Sequence, residues 1–229
     1  MRRTAMTDLP ALLQMSEAAF PAGGFGHSFG LETAIVEGRV ADACTLEAWI
    51  RSTLLNGSAT LDGAAMALLM RDDATVDALD ARVTAAQPNG EIRLANAHLA
   101  RATLDTYRAM GLADIRIAAY AGAIGDRSCV GVHALAVAIG YRAIAADIET
   151  ALQAHASTLV ASYASVAARA VPLGQRAVAR SRWNLRATIA AYARRAQAVR
   201  TLDDLSSSAV HAEIDGLRHR RLPARLFAS

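Results

Sequence analysis

The apolar residues of this chain recur at the spacing of an α-helix, and most of them are alanine or leucine. One such stripe consists of Leu46, Trp49, Ile50, Thr53 and Leu54, at i, i+3, i+4, i+7 and i+8. Alanine and leucine are strong helix formers, and runs of β-branched residues are scarce. Because aromatic residues make up only 5% of the chain, aliphatic side chains must fill the core. We therefore predict an all-α fold.

Turn residues divide the 229-residue chain into about nine or ten predicted helices. Asn56-Gly57 is expected to end the third helix, and residues 115–119 are the nearest approach to a strand. We predict one helical-bundle domain over residues 1–204 and a basic C-terminal tail over 205–229. The predicted helices are 9–19, 28–36, the helix carrying the 46–54 stripe, 58–71, 74–86, 91–110, 128–141, 146–170, 175–200 and a short helix ending near 217.

Charge is distributed unevenly along the chain. Residues 1–168 contain 12 arginines and 17 acidic residues, whereas residues 169–229 contain 12 arginines and 4 acidic residues. This asymmetry indicates a charged partner for the C-terminal quarter, either protein or nucleic acid. The longest charge-free run, 150–168, includes Gln153 and His155, so we expect a core helix there and no membrane span. Cys44 and Cys129 lie far apart and are expected to be reduced, buried thiols of a cytoplasmic protein.

The segment FPAGGFGHSFGLE, residues 20–32, contains four glycines and three phenylalanines. A flexible linker would not need Phe20, Phe25 and Phe29, which bury large areas when they find a surface. Glycine permits positive φ or very close packing. We predict a tight turn that presents aromatic side chains to a groove on this chain or on a partner.

No motif of catalysis, nucleotide binding or metal binding stands out. None of the six histidines belongs to an HxxxH, HExxH or Cys/His pattern, and no GxSxG or P-loop is present. His133 and His155 lie in apolar helices and are interpreted as hydrogen-bonded core residues. The sequence therefore offers no catalytic, cofactor or metal residues that can be named from a motif.

The end of the chain combines arginines with apolar residues. Its charge suits RNA or DNA, but it has one aromatic residue, Phe227, and lacks the base-stacking pattern of single-strand binders. Leu222, Leu226 and Phe227 resemble apolar anchors with arginines at the rim, which is typical of a peptide that docks on a protein.

Three motifs together are similar to those of the urease accessory protein UreF family. LLQMSEAAFPAGGFGHSFGLETAI, residues 12–35, resembles the N-terminal signature of that family, with its Pro-x-Gly-Gly-Phe and Gly-Leu-Glu. AVPLGQ, residues 170–175, lies between two long predicted helices. Arg218-His219 and Arg225-Leu226-Phe227 resemble the ending of the family. Two departures are His27, where the family often has tyrosine, and Arg220-Arg221 after Arg-His.

The resemblance implies an all-helical, homodimeric, cytoplasmic scaffold that is not an enzyme and has no catalytic, cofactor or metal residues of its own. Such proteins bind UreH (also called UreD), recruit the GTPase UreG and dock on apo-urease, so that nickel reaches the urease active site and the GTPase is regulated. Nickel and GTP would be handled by the partners. The residues expected to contact partners are Pro21, Gly23, Gly24, Phe25, His27, Gly30, Glu32, Pro172, Gly174, Gln175, Arg218, His219, Arg225, Leu226 and Phe227.

Two other functions stay open at this point. A helical nucleic-acid-binding protein would use the basic C-terminal quarter and would lose affinity steeply with salt. A small-molecule enzyme would need a pocket with convergent polar groups, for which the sequence offers no constellation.

Overall fold

The computed structural model describes residues 7–17, 19–22 and 24–228, without the side chain of Phe25. These residues form twelve α-helices and no β-strand, so the prediction of an all-α fold is confirmed. The α-helices are α1 (Leu9–Met15), α2 (Leu31–Val36), α3 (Ala43–Thr53), α4 (Ala64–Met70), α5 (Val76–Ala86), α6 (Gly90–Ala109), α7 (Ile115–Gly125), α8 (His133–Ala143), α9 (Ile148–Ala170), α10 (Gln175–Asn184), α11 (Arg186–Ala198) and α12 (Val210–His219); a 3-10 turn covers Gly24–Gly26 and a π-helical segment covers Leu54–Gly63.

One hydrophobic core runs through the described residues, and α8 lies inside it. Every residue from Ala134 to Tyr141 is buried, as predicted for this nearly apolar helix, and α4, α6 and α9 pack around it. The same core includes Leu205, Ala209 and Phe227. Residues on both sides of position 204 therefore share one core.

The sequence Asn56-Gly57 does not end a helix, contrary to our prediction. The chain continues from α3 through the π-helical segment into α4. Long-range packing explains this, because a Cβ on Gly57 would lie 2.8 Å from Ala209 Cβ, and a Cβ on Gly63 would lie 2.6 Å from Tyr192 Oη. The two glycines lie where other parts of the chain approach the helix most closely. A π-helix is rare and often marks a functional site.

Two further helix boundaries differ from the predicted ones. The predicted helix 175–200 is divided at Leu185, where ψ is 0°. Both halves pack against α9, but α10 also packs against α3, whereas α11 packs against the π-helical segment and α4. Residues 128–132, predicted as helix, instead form a loop that Asp80 holds. Its carboxylate accepts the N–H groups of Val130 and Gly131, each at 2.9 Å. Residues 115–119 are helical, within α7.

The prediction of two buried cysteines is correct for Cys129 and wrong for Cys44, which is exposed on α3.

Candidate functional site

The Glu32 carboxylate joins the N-terminal turn to the end of the chain. Glu32 is buried in α2 and accepts hydrogen bonds from His219 Nε2 at 2.8 Å and from the Leu226 N–H at 2.6 Å. When the Glu32 carboxylate is ionised it can only accept, and the Nε2–H group of His219 is then the donor. The structure thus brings together Glu32, His219 and Leu226, three of the residues that the sequence indicated.

Gly30 allows α12 to approach the start of α2. Its φ is +92°, and a Cβ at this position would lie 2.9 Å from both Ala212 O and Gly216 N. Because of this left-handed residue, α2 begins at Leu31 and not near Ser28 as predicted. The close approach places His219, near the end of α12, against Glu32.

The last described residues follow the surface of the turn. The N–H of Ala228 donates to the carbonyl oxygen of Gly26 at 2.7 Å. Phe227 is 5% exposed, and the Arg169 guanidinium lies 4.4 Å from its ring centroid. Leu226, in contrast, is 72% exposed. Of the three predicted apolar anchors, Phe227 packs within this chain, Leu222 is half-buried and Leu226 faces outwards.

A second buried carboxylate, one turn before His219 on the same face of α12, also anchors this helix. Asp215 accepts two hydrogen bonds from the Arg39 guanidinium, at 2.5 and 3.0 Å, and one from Trp49 Nε1 at 3.2 Å. The pKa of Arg39 is raised, mainly by its hydrogen bond to Asp215. The contacts of Asp215 with Arg39 and Trp49 were not predicted, because in the sequence Asp215 is one more polar residue of a short amphipathic helix.

The outer face of α12 is apolar, and no described residue of this chain covers it. Val210, Ile214 and Leu217 are 59%, 41% and 48% exposed, at i, i+4 and i+7, and we call them the α12 stripe. A stripe of this spacing is the pattern with which an amphipathic helix enters a groove on a partner. The exposed arginines of the segment are Arg218, Arg220, Arg221 and Arg225.

The other predicted residues are distributed around this region. Pro21 is exposed, and its carbonyl oxygen accepts from Thr106 Oγ1 at 3.2 Å. His27 is half-buried and stacks on Phe29, with ring centroids 5.6 Å apart. Burial, and secondarily the charge of His98, lower the pKa of His27. The backbone of Gly24 starts the 3-10 turn.

Two of the residues predicted to contact partners, Gly23 and the side chain of Phe25, lie outside the described residues. The turn between α9 and α10 leaves Pro172, Gly174 and Gln175 exposed. It begins shortly after Arg169, the residue that contacts Phe227.

A cavity of about 190 Å³ lies beneath the glycine-rich turn. Phe20 and Phe29 line it, so the predicted groove for these aromatic residues belongs to this chain. His133 and His155 also line it, and burial lowers their pKa values to about 4 and about 3. Both imidazoles are therefore neutral at pH 7. His155 is buried and His133 is partly buried, both on the wall of a cavity. Neither ring forms a hydrogen bond to the described residues, so the prediction of hydrogen-bonded core residues was wrong about the hydrogen bonds.

Asp62, which the sequence analysis did not single out, also lines the cavity. It belongs to the π-helical segment, and burial raises its pKa to about 7. Its side chain keeps partial solvent-accessible area although it lies deep in the molecule, because it faces the cavity. Two other lining hydroxyl groups, those of Tyr107 and Thr103, are buried without a hydrogen-bond partner in the described protein atoms. The feature of the sequence that could have indicated Asp62 is a single aspartate within an apolar helical run.

The described residues contain no group of three or more His, Cys, Asp or Glu side chains arranged to hold a metal ion. Among the described helices, none combines the length and apolarity needed to cross a membrane.

Comparison with known proteins identifies the family. The UreF family model matches residues 40–186. The urease accessory protein UreF of Rhodopseudomonas palustris (strain BisA53) is 34% identical over 230 residues, covering 95% of this chain and 92% of that protein. This chain belongs to the UreF family. UreF proteins of Corynebacterium glutamicum (strain R) and Paenarthrobacter aurescens (strain TC1) are each 31% identical and cover 95% and 96% of this chain.

Membership in the UreF family defines the protein as a urease accessory protein and not an enzyme. The family model ends before α12, and it begins after the glycine-rich turn. The full-length relatives extend the similarity over most of the chain. The two ends of this UreF chain, which Glu32 joins, thus lie outside the segment matched by the family model.

Proposed function

We propose that this UreF chain is a scaffold for nickel insertion into urease, which binds UreH/UreD and recruits the UreG GTPase to apo-urease. The observation that carries the proposal is the α12 stripe beside a tail anchored by Glu32. Val210, Ile214 and Leu217 form an uncovered apolar ridge with arginines nearby. Interfaces commonly combine an apolar centre with a charged rim. We assign this surface to UreH/UreD.

Anchoring of the tail favours binding by reducing its entropic cost. A free tail would lose backbone freedom on docking, at roughly 1–2 kcal/mol per residue. In this chain the tail is already held by the hydrogen bonds of Leu226 and Ala228 and by burial of Phe227. Leu226 is therefore presented outwards on an ordered backbone.

A scaffold of this kind needs no metal ligands of its own. Ni²⁺ binds nitrogen and sulfur ligands tightly, so its release into the cytoplasm is hazardous. A protein that holds donor and acceptor together raises their effective concentration. If it binds one nucleotide state of UreG better than the other, it also couples nickel release to GTP hydrolysis. Nickel is cargo in this scheme, and a homodimer would hold two copies of each partner.

The test is co-purification with UreH/UreD, followed by addition of UreG with nucleotide and then apo-urease, with masses from light scattering. The variant Ile214→Arg/Leu217→Arg should weaken UreH/UreD binding at least tenfold, because burial of each side chain contributes roughly 1.5–3 kcal/mol. Ile115→Arg is the matched control, since Ile115 is 85% exposed on α7.

Helicity measured by circular dichroism should be equal in all three proteins. Wild-type binding by the double variant would show that the α12 stripe is not the UreH/UreD surface. A wild-type chain that remains alone with all partners present would refute the scaffold function itself.

A further inference from the structure

A second surface with a distinct composition lies on α10. Residues 150–202 contain no aspartate or glutamate. The arginines of this stretch are Arg169, Arg176, Arg180, Arg182, Arg186, Arg194, Arg195 and Arg200. The charge of this stretch is therefore entirely positive.

The orientation of α10 gathers part of this charge on one side. Val178 and Ser181 are buried and face the protein. Arg176, Arg180 and Trp183, at i, i+4 and i+7, lie on the opposite side of the helix, and all three are exposed. Within the described part of the chain, neither Arg176 nor Arg180 forms an ion pair.

Trp183 is held in place although it is 65% exposed. The Arg186 guanidinium lies 3.2 Å from the centroid of its ring, which is a cation–π contact. Exposure of the Trp183 ring to water costs free energy. The guanidinium over one face of the ring limits the rotamers that this side chain can adopt. We call Arg176, Arg180, Trp183 and Arg186 the α10 surface. Tryptophan and arginine are the residues that most often dominate binding energy at interfaces.

We propose that the α10 surface docks an acidic face of another protein, with Trp183 as the anchor in an apolar slot. This inference concerns a different helix from the α12 stripe, and it holds whether or not UreH/UreD binds that stripe.

Charge and stacking favour protein over nucleic acid as the occupant. Glu47 accepts a hydrogen bond from Asn184 at 3.1 Å, so a carboxylate lies beside the residue that follows Trp183. A nucleic acid carries a charge at every phosphate and would be repelled there, whereas a protein face that is acidic elsewhere can place an uncharged polar group against Glu47. Single-strand binders also stack successive bases on several aromatic side chains, and the α10 surface offers only Trp183.

The test compares three polyanions on the full-length chain at 50 and 150 mM salt. The probes are a random copolymer of glutamate and tyrosine (4:1), polyglutamate of the same length, and polyuridylate with the same number of charges. Binding is followed by the fluorescence of Trp183. Trp49, the other tryptophan of the chain, is buried and serves as an internal reference. Because the Trp183→Ala variant lacks this fluorophore, its binding is measured by the fluorescence anisotropy of labelled probes.

We expect the copolymer to bind at least fivefold more tightly than either other probe. Arg176→Glu/Arg180→Glu should weaken binding of the copolymer at least tenfold. Trp183→Ala should bind the copolymer no more tightly than polyglutamate. Arg108→Glu/Arg127→Glu reverses the same number of exposed charges away from α10 and should change binding less than twofold. Tighter binding of polyuridylate, an equal loss in the control variant, or no binding of the copolymer would each overturn the proposal.

Discussion

Glu32 and His219 are 187 positions apart in the sequence, yet their side chains share a 2.8 Å hydrogen bond in the interior. His219 is 1% exposed and Glu32 is 2% exposed. The pair links the glycine-rich turn, through α2, to the last helix. The stability of the tail therefore depends on a residue near the start of the chain.

Replacement of Glu32 should release the tail in proportion to the hydrogen bonds lost. Glu32→Ala leaves His219 Nε2 and the Leu226 N–H without an acceptor, and should lower the free energy of unfolding by about 3 kcal/mol. Glu32→Gln should cost about 1 kcal/mol, because Gln keeps one acceptor oxygen and its amide N–H can donate to a ring nitrogen of His219 that carries no proton.

Urea denaturation measures both costs, and hydrogen exchange of the Leu226 and Ala228 amides reports the tail directly. We expect rapid exchange of both amides in Glu32→Ala and intermediate protection in Glu32→Gln. Full protection in the alanine variant would mean that Phe227 alone holds the tail.

Gly30→Ala should destabilise the protein more than Gly38→Ala. Both glycines have positive φ, +92° and +74°, but a Cβ on Gly38 would meet nothing within 4 Å, whereas one on Gly30 would clash with Ala212 and Gly216. We expect about 1 kcal/mol from strain at Gly38, and at least about 2 kcal/mol at Gly30, where α12 must also move. Equal costs in urea denaturation would mean that α12 does not approach Gly30 closely in solution.

The stability contributed by Asp62 should depend on pH. Burial raises its pKa from 3.8 to about 7 in the folded protein, so the folded state holds this proton more tightly than the unfolded chain does. The contribution of this proton to the free energy of unfolding is fully present below about pH 4 and is lost as pH rises through about 7. Asp62→Asn, which mimics the neutral form, should therefore be more stable than wild type by roughly 1–4 kcal/mol at pH 8.5.

At pH 5 the stability advantage of Asp62→Asn should be clearly smaller. Denaturation at both pH values measures the difference, and Asp105→Asn, at an exposed position on α6, should show none. A pH-independent effect of Asp62→Asn would mean that Asp62 is ionised and hydrated in the cavity throughout.

Gly63→Ala should destabilise the protein although alanine is the better helix former. A Cβ at this position would lie 2.6–2.8 Å from the ring of Tyr192, a fully buried side chain of α11. We expect a loss of at least about 2 kcal/mol. Gly122→Ala in α7 has open space around its Cβ and should gain about 0.5–1 kcal/mol. A stabilised Gly63→Ala would contradict the close packing of α11 on the π-helical segment.

Much of the helical fold could be predicted from the sequence, because helix formation depends on neighbours three and four residues apart. The stripe of Leu46, Trp49 and Ile50 is buried as its spacing indicates. The apolar run of α8 is central, and α9 ends at Ala170, just before Pro172. The motifs at the two ends of the chain also indicated the UreF family correctly.

Only the tertiary structure decided how the ends meet and which polar groups lie inside. Asn56-Gly57 has the composition of a turn, but packing of Ala209 and Tyr192 keeps the chain helical there. The contacts of Glu32 with His219, and of Asp215 with Arg39 and Trp49, join residues more than a hundred positions apart. Local propensity carries no information about such pairs, because they form only when the path of the whole chain brings buried charges and donors within hydrogen-bonding distance.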